Sequence, residues 1–157
     1  MAKIMVVGYG NPLCGDDGVG WHAAQVLADT LEVEDIKILA CHTLTPKLFD
    51  PVRQSDLVIF VNSCMDDLPG QLTFRAIKSR IPNTGLRRSR LNPQALLSCV
   101  QELYGTCPQG LMITMGGENF NYGDDLSPFV ATNFPALLES VRDQLAQWRS
   151  TIHPKES

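Results

Sequence analysis

Gly8-Tyr9-Gly10-Asn11-Pro12-Leu13-Cys14-Gly15-Asp16-Asp17-Gly18-Val19-Gly20 is the stretch on which the reading of the fold turns. It follows Ile4-Met5-Val6-Val7, an apolar run of the kind a buried parallel strand uses, and it leads into a helical pattern. It therefore reads as a strand-to-helix turn at the carboxyl edge of a sheet, where open α/β folds place their sites. A dinucleotide-binding turn needs a glycine where Leu13 stands, and a phosphate-binding loop needs Lys-Ser/Thr where this chain has Asp16 and Asp17. Paired carboxylates repel phosphate; they suit a metal ion or a polarised water. The plainer alternative is that Asp16 caps the helix and Asp17 sits in its favourable first turn. The glycines and Asn11-Pro12 around the pair are more special backbone than a cap requires. Asp16 and Asp17 are thus the first candidate catalytic residues.

Working outward, Val19, Ala23, Ala24, Val26, Leu27 and Leu31 recur at helical spacing, which predicts an amphipathic helix from Gly18 to about Leu31. Ile36–Ala40 reads as a second strand, and Thr45-Pro46 as the capped start of a short helix that ends before Ser55. Leu57-Val58-Ile59-Phe60-Val61 has the composition of a central strand buried on both faces, and it delivers Asn62-Ser63-Cys64-Met65-Asp66-Asp67 to the same edge as the opening turn. Gln71–Ile77 alternates polar and apolar residues. That pattern predicts an edge strand, antiparallel because only a short Pro-Gly turn separates it from the strand before. Lys78–Arg90, with Arg80, Arg87, Arg88 and Arg90, reads as a solvated basic loop. Asn92-Pro93 opens a helix that Gly105 can end; Leu111–Met115 is a last strand; Ser127-Pro128 opens a final helix reaching about Trp148. Strands alternating with helices predict a three-layer α/β/α domain with a mostly parallel, twisted sheet of about five strands. Residues 1–149 are expected to form that single domain and 150–157 a disordered tail.

Composition limits the function classes. A net charge of −4 argues against a dedicated nucleic-acid binder, and no stretch approaches the roughly twenty apolar residues of a membrane span. The Met-Ala-Lys start followed at once by a strand is no secretory signal. Five cysteines without a Cys-x-x-Cys fit reduced thiols, so a cytoplasmic protein is expected.

The opening turn, Leu-Val-Ile-Phe-Val before Asn62, Asn92-Pro93-Gln94-Ala95-Leu96-Leu97 and Asp125-Leu126-Ser127-Pro128 occur in an order that resembles the endopeptidases that trim the C-terminal extension of the nickel-iron hydrogenase large subunit. The resemblance spans nearly the whole chain and implies the same α/β/α architecture. It implies a protein substrate, the hydrogenase large subunit or another protein, with neither nucleic acid nor membrane as partner. It also implies a nickel-recognising site at Asp17, with Asp16 as companion, at Asn62 and at Ser89. In the family these last two places hold an aspartate and a histidine. A neutral amide and a hydroxyl are poor ligands for a metal that favours imidazole, so nickel is the cofactor expected by resemblance and none is the alternative.

Three substitutes for the missing ligands are open in the sequence. His42 follows a strand and could reach the same edge; His22 lies in the first helix. Cys14 and Cys64 each stand two residues from a site position and could form a thiolate pair. Arg88 or Arg90 could place a fixed cation against Asp16 or Asp17. The function expected is therefore that of the maturation endopeptidase with weakened or lost proteolysis. The alternatives are a non-catalytic homologue acting as a protein-binding or assembly factor, and a hydrolase that uses the surviving acids without a transition metal.

Overall fold

The computed structural model describes residues 3–31, 33–80 and 91–152. Its elements are β1 (Ile4–Tyr9), a 3-10 turn (Gly15–Gly18), α1 (Val19–Thr30), β2 (Ile36–Cys41) and a second 3-10 turn (Pro46–Leu48) that runs into α2 (Phe49–Arg53). β3 (Leu57–Cys64), β4 (Leu72–Ile77), α3 (Pro93–Tyr104), β5 (Gln109–Gly116) and α4 (Pro128–Ile152) complete it. The strands form one sheet in the order β2-β1-β3-β5-β4, with β4 alone antiparallel. The expected α/β/α fold and five-stranded sheet are present.

Side-chain alternation along the strands divides the core between the two faces of the sheet. Ile4, Val6, Ile59, Val61, Ile113 and Met115 point to one face, where α1 and α4 cover them with Val19, Ala23, Leu27, Leu137, Val141 and their neighbours. Met5, Val7, Val58, Phe60 and Met112 point to the other, under Leu48 and Val52 of the α2 region and Leu96, Leu97 and Val100 of α3. Each fully buried aliphatic side chain contributes about 1.5–3 kcal/mol relative to exposure, so the strand runs specify the layers. β3 occupies the middle of the sheet, as its unbroken apolar run requires.

Three details differ from the sequence reading. β4 is an antiparallel edge strand, but it pairs with β5 and not with β3, so the Pro-Gly turn is not a hairpin. β5 inserts between them because its apolar strand must be covered on both edges, whereas β4 alternates and tolerates one open edge. Thr45 stands at a helix start, yet its side chain makes no capping bond; Asn92 does cap, accepting the Ala95 N–H at 2.8 Å. α4 continues to Ile152, past the expected end near Trp148, and residues 153–157 of the expected tail lie outside the described residues.

Candidate functional site

Tight backbone packing builds the opening turn. Gly8 and Gly20 let α1 lie directly on the sheet: a Cβ on Gly8 would strike the Gly20 carbonyl, and one on Gly20 would strike the carbonyl of Val61. Gly10 has φ 139°, a conformation L side chains rarely adopt, and a Cβ there would strike the Asp17 carbonyl and lie 3.2 Å from Asn62 Oδ1. Gly10 thus marks the point where the turn carrying Asp17 meets the end of β3 carrying Asn62.

The two acids of the turn do different things. Asp16 is fully buried, and its carboxylate is filled by the loop before α4. Oδ2 accepts the N–H of Glu118 at 2.8 Å, that of Asn119 at 2.9 Å and the Ser127 hydroxyl at 2.7 Å, while Oδ1 accepts the Ser127 N–H at 2.8 Å. Burial alone would raise its pKa; the hydrogen bonds from Asn119, Glu118 and Ser127 outweigh it and hold the carboxyl below its ordinary value. Asp16 therefore ties the β1–α1 turn to the β5–α4 loop, reinforced by backbone bonds from Asp16 N to Asn119 O and from Gly15 N to Gly123 O, each 2.8 Å. Neither Asp16 nor Asp17 caps α1, whose N-cap Gly18 receives no side-chain bond.

Asp17 is half-buried, and its Oδ2 accepts the Asn11 N–H at 2.8 Å. Among the described residues nothing donates to Oδ1. Asn62 is also half-buried; its side chain lies near the Tyr9 hydroxyl, while its Oδ1 is buried without a hydrogen-bond partner among the described residues. Burial raises the Tyr9 pKa, and the Cys41 and Asp17 charges push the same way, against the Asn62 bond and Arg75. The strand register sets Cys41 beside Tyr9, and Asn62 beside Thr114 and then Thr73. A polar row thus crosses the carboxyl edge of the sheet, and Asp17 stands over it.

Of the other candidates, Ser89, Arg87, Arg88 and Arg90 lie outside the described residues, so the fixed-cation expectation does too. His42 is exposed after β2, and no hydrogen bond or ion pair among the described residues joins it to Asp17. Cys14 and Cys64 are both free thiols, Cys14 bridging through its backbone to Gly123 and Cys64 paired with Gly116. Among the described residues no three His, Cys, Asp or Glu side chains come together as a metal-binding group. The turn offers the Asp17 carboxylate and β3 the neutral Asn62 amide oxygen, a hard and undercharged set that does not fit nickel, which favours imidazole and thiolate. The sequence reading missed two features: the tie made by Asp16, and Tyr9, whose place beside Asn62 follows only from the strand order.

No protein-family model matches the chain, and no curated protein matches it in sequence. Solved structures do match. The hydrogenase maturating endopeptidase HybD from E. coli superposes with a TM-score of 0.75 at 20% identity, over 92% of this chain and 93% of that one. The [NiFe] hydrogenase maturation protease HycI from Thermococcus kodakarensis gives 0.71 at 20% identity, over 90% and 91%. A hydrogenase 2 maturation peptidase from a Thaumarchaeota archaeon gives 0.71 at 20% identity, over 92% and 98%. The chain has the fold of the hydrogenase maturation endopeptidases over nearly its whole length.

Proposed function

We propose that this protein is a relative of the hydrogenase maturation endopeptidases that binds a protein substrate, of the hydrogenase large-subunit kind, at the carboxyl edge of its sheet, with proteolysis weakened or lost. The observation that supports this is the convergence at Gly10 of the Asp17 backbone carbonyl and Asn62 Oδ1, which is buried without a partner among the described residues. A buried acceptor without a donor costs about 1–3 kcal/mol, a cost more readily retained where a ligand supplies the missing partner. The position suits recognition of a metal or backbone group brought by the substrate; the charge suits it poorly. Asp17 would orient the incoming group or a water, Asn62 would accept a hydrogen bond from it, and Asp16 would hold the turn in place without touching it. No step through nickel is derived, because the donors present do not make a nickel site.

The rim of this edge supports a protein as the ligand. Leu13, Met65, Leu68, Tyr122 and Phe129 are large, exposed and apolar, and they sit on the loops after β1, β3 and β5 or at the start of α4. Isolated exposed apolar residues are ordinary, but their gathering on the loops of one edge is what a protein-docking surface provides.

A second reading, a non-catalytic assembly factor, is favoured by the neutral amide at position 62. Titration calorimetry with nickel or cadmium separates the two. Binding by the native chain supports a working peptidase. No binding by the native chain, gained when Asn62→Asp and Ser89→His are combined, supports a scaffold that has lost its ligands. Incubation with a precursor hydrogenase large subunit, read as a mobility change on a gel, tests cleavage itself. If the precursor neither binds nor is cut, the substrate assignment fails.

A further inference from the structure

A cleft of about 560 Å³ opens away from Asp17 and Asn62, between α1 and the loop that enters α4. Val26, Leu126 and Phe134 line it and pack inward on the core of that face, so its apolar wall is continuous with the protein interior. Asp124 and Asp125 also line it, both exposed and neither with an ion-pair or hydrogen-bond partner among the described residues. His22 completes it. Its ring stands edge-on to Trp21 at 5.1 Å, and its Nε2 is buried with no partner among the described residues. Burial lowers the His22 pKa, with Asp124 opposing, so the neutral ring is favoured at the base of the cleft.

We propose that this cleft is a peptide-binding subsite for a segment that carries lysine or arginine beside apolar side chains. Apolar side chains would cover Val26, Leu126 and Phe134, the cation would sit between Asp124 and Asp125, and the His22 ring would form the floor beside them. The apolar wall is then covered and the acid pair neutralised. The charge of the surrounding edge agrees: residues 10–18, 62–71 and 116–128 contain acids such as Asp66, Asp67 and Glu118 and no lysine or arginine. A basic segment is drawn to such an edge and an acidic one is repelled. The inference rests on the reading of the chain as a protein-binding relative and names what the bound protein presents.

The test uses the full chain and the peptide acetyl-Leu-Arg-Leu-Lys-Leu-amide, followed by NMR. Binding should move the His22 ring signals and the backbone amides of residues 124–134, and should weaken as salt rises. Asp124→Asn with Asp125→Asn should weaken it about tenfold, a loss of roughly 1.4 kcal/mol. Ala131→Phe, which fills the cleft from an exposed position, should weaken it at least as much with an unchanged melting temperature. Asn62→Leu should leave it intact, so a failed metal or cleavage assay at Asp17 and Asn62 does not touch this result. The proposal is overturned if a Glu-substituted peptide binds equally well, if spermidine alone binds as tightly, if the shifts lie elsewhere, or if Ala131→Phe binds like the native chain.

Discussion

At the scale of single residues, neighbours in sequence have unlike roles. Asp16 is spent on Glu118, Asn119 and Ser127, more than a hundred residues along the chain, and Asp17 accepts a single bond, from the Asn11 N–H, among the described residues. Asp16→Asn should therefore cost about 2–4 kcal/mol in urea denaturation, because buried N–H groups lose a charged acceptor, whereas Asp17→Asn should cost under about 1 kcal/mol. Because the folded Asp16 carboxyl titrates below its ordinary value, its contribution is complete above that value and is lost as pH falls through the folded one. Unfolding free energy should thus fall as pH drops below about 4, with a shallower slope in Asp16→Asn; equal slopes would show that other carboxylates dominate. At position 62, Asn62→Leu removes an acceptor unpaired among the described residues together with the amide near the Tyr9 hydroxyl, two opposing effects, so it should change the unfolding free energy by under about 1 kcal/mol while abolishing substrate recognition. The acid pair was plain in the sequence. Its division of labour was not, since the donors to Asp16 come from a loop whose approach no local pattern encodes.

At the scale of elements, spacing and composition carried most of the information. The helical periodicity after Gly18, the apolar run of β3 and the Asn92-Pro93 start all became elements within a few residues of their expected ends. Gly105 ends α3 in the left-handed region at φ 74°, with open space around it, so Gly105→Ala should cost only the backbone strain, about 1 kcal/mol. Gly20 in α1 is the contrast: α1 lies on β3 so closely that Gly20→Ala drives a methyl into the Val61 carbonyl, and a loss of 3 kcal/mol or roughly more is expected from chemical denaturation. Equal costs at the two positions would mean that α1 shifts off the sheet freely. The partner of β4 was the element-level miss. Alternation identifies an edge strand but says nothing about which edge, and the short Pro-Gly turn pointed to the wrong neighbour.

At the scale of the whole molecule, the order β2-β1-β3-β5-β4 brings the loops after β1, β3 and β5 to one acidic, apolar-rimmed edge. A protein partner carrying basic charge should associate more slowly as salt is raised, with the dissociation rate nearly constant; surface plasmon resonance between about 50 and 500 mM salt checks this, and a salt-independent association rate would remove charge from the account. The sequence by itself determined the layers, the strand and helix content, and the placing of acids at a strand-to-helix turn, because those follow from periodicity and from backbone chemistry local to a few residues. Tertiary structure alone decided that Asp16 is a tie while Asp17 is not, that Tyr9 lies near Asn62, and that His22 shares a cleft with Asp124 and Asp125. These are meetings between residues far apart in the chain, and strand order and helix packing choose them after the local pattern has been satisfied.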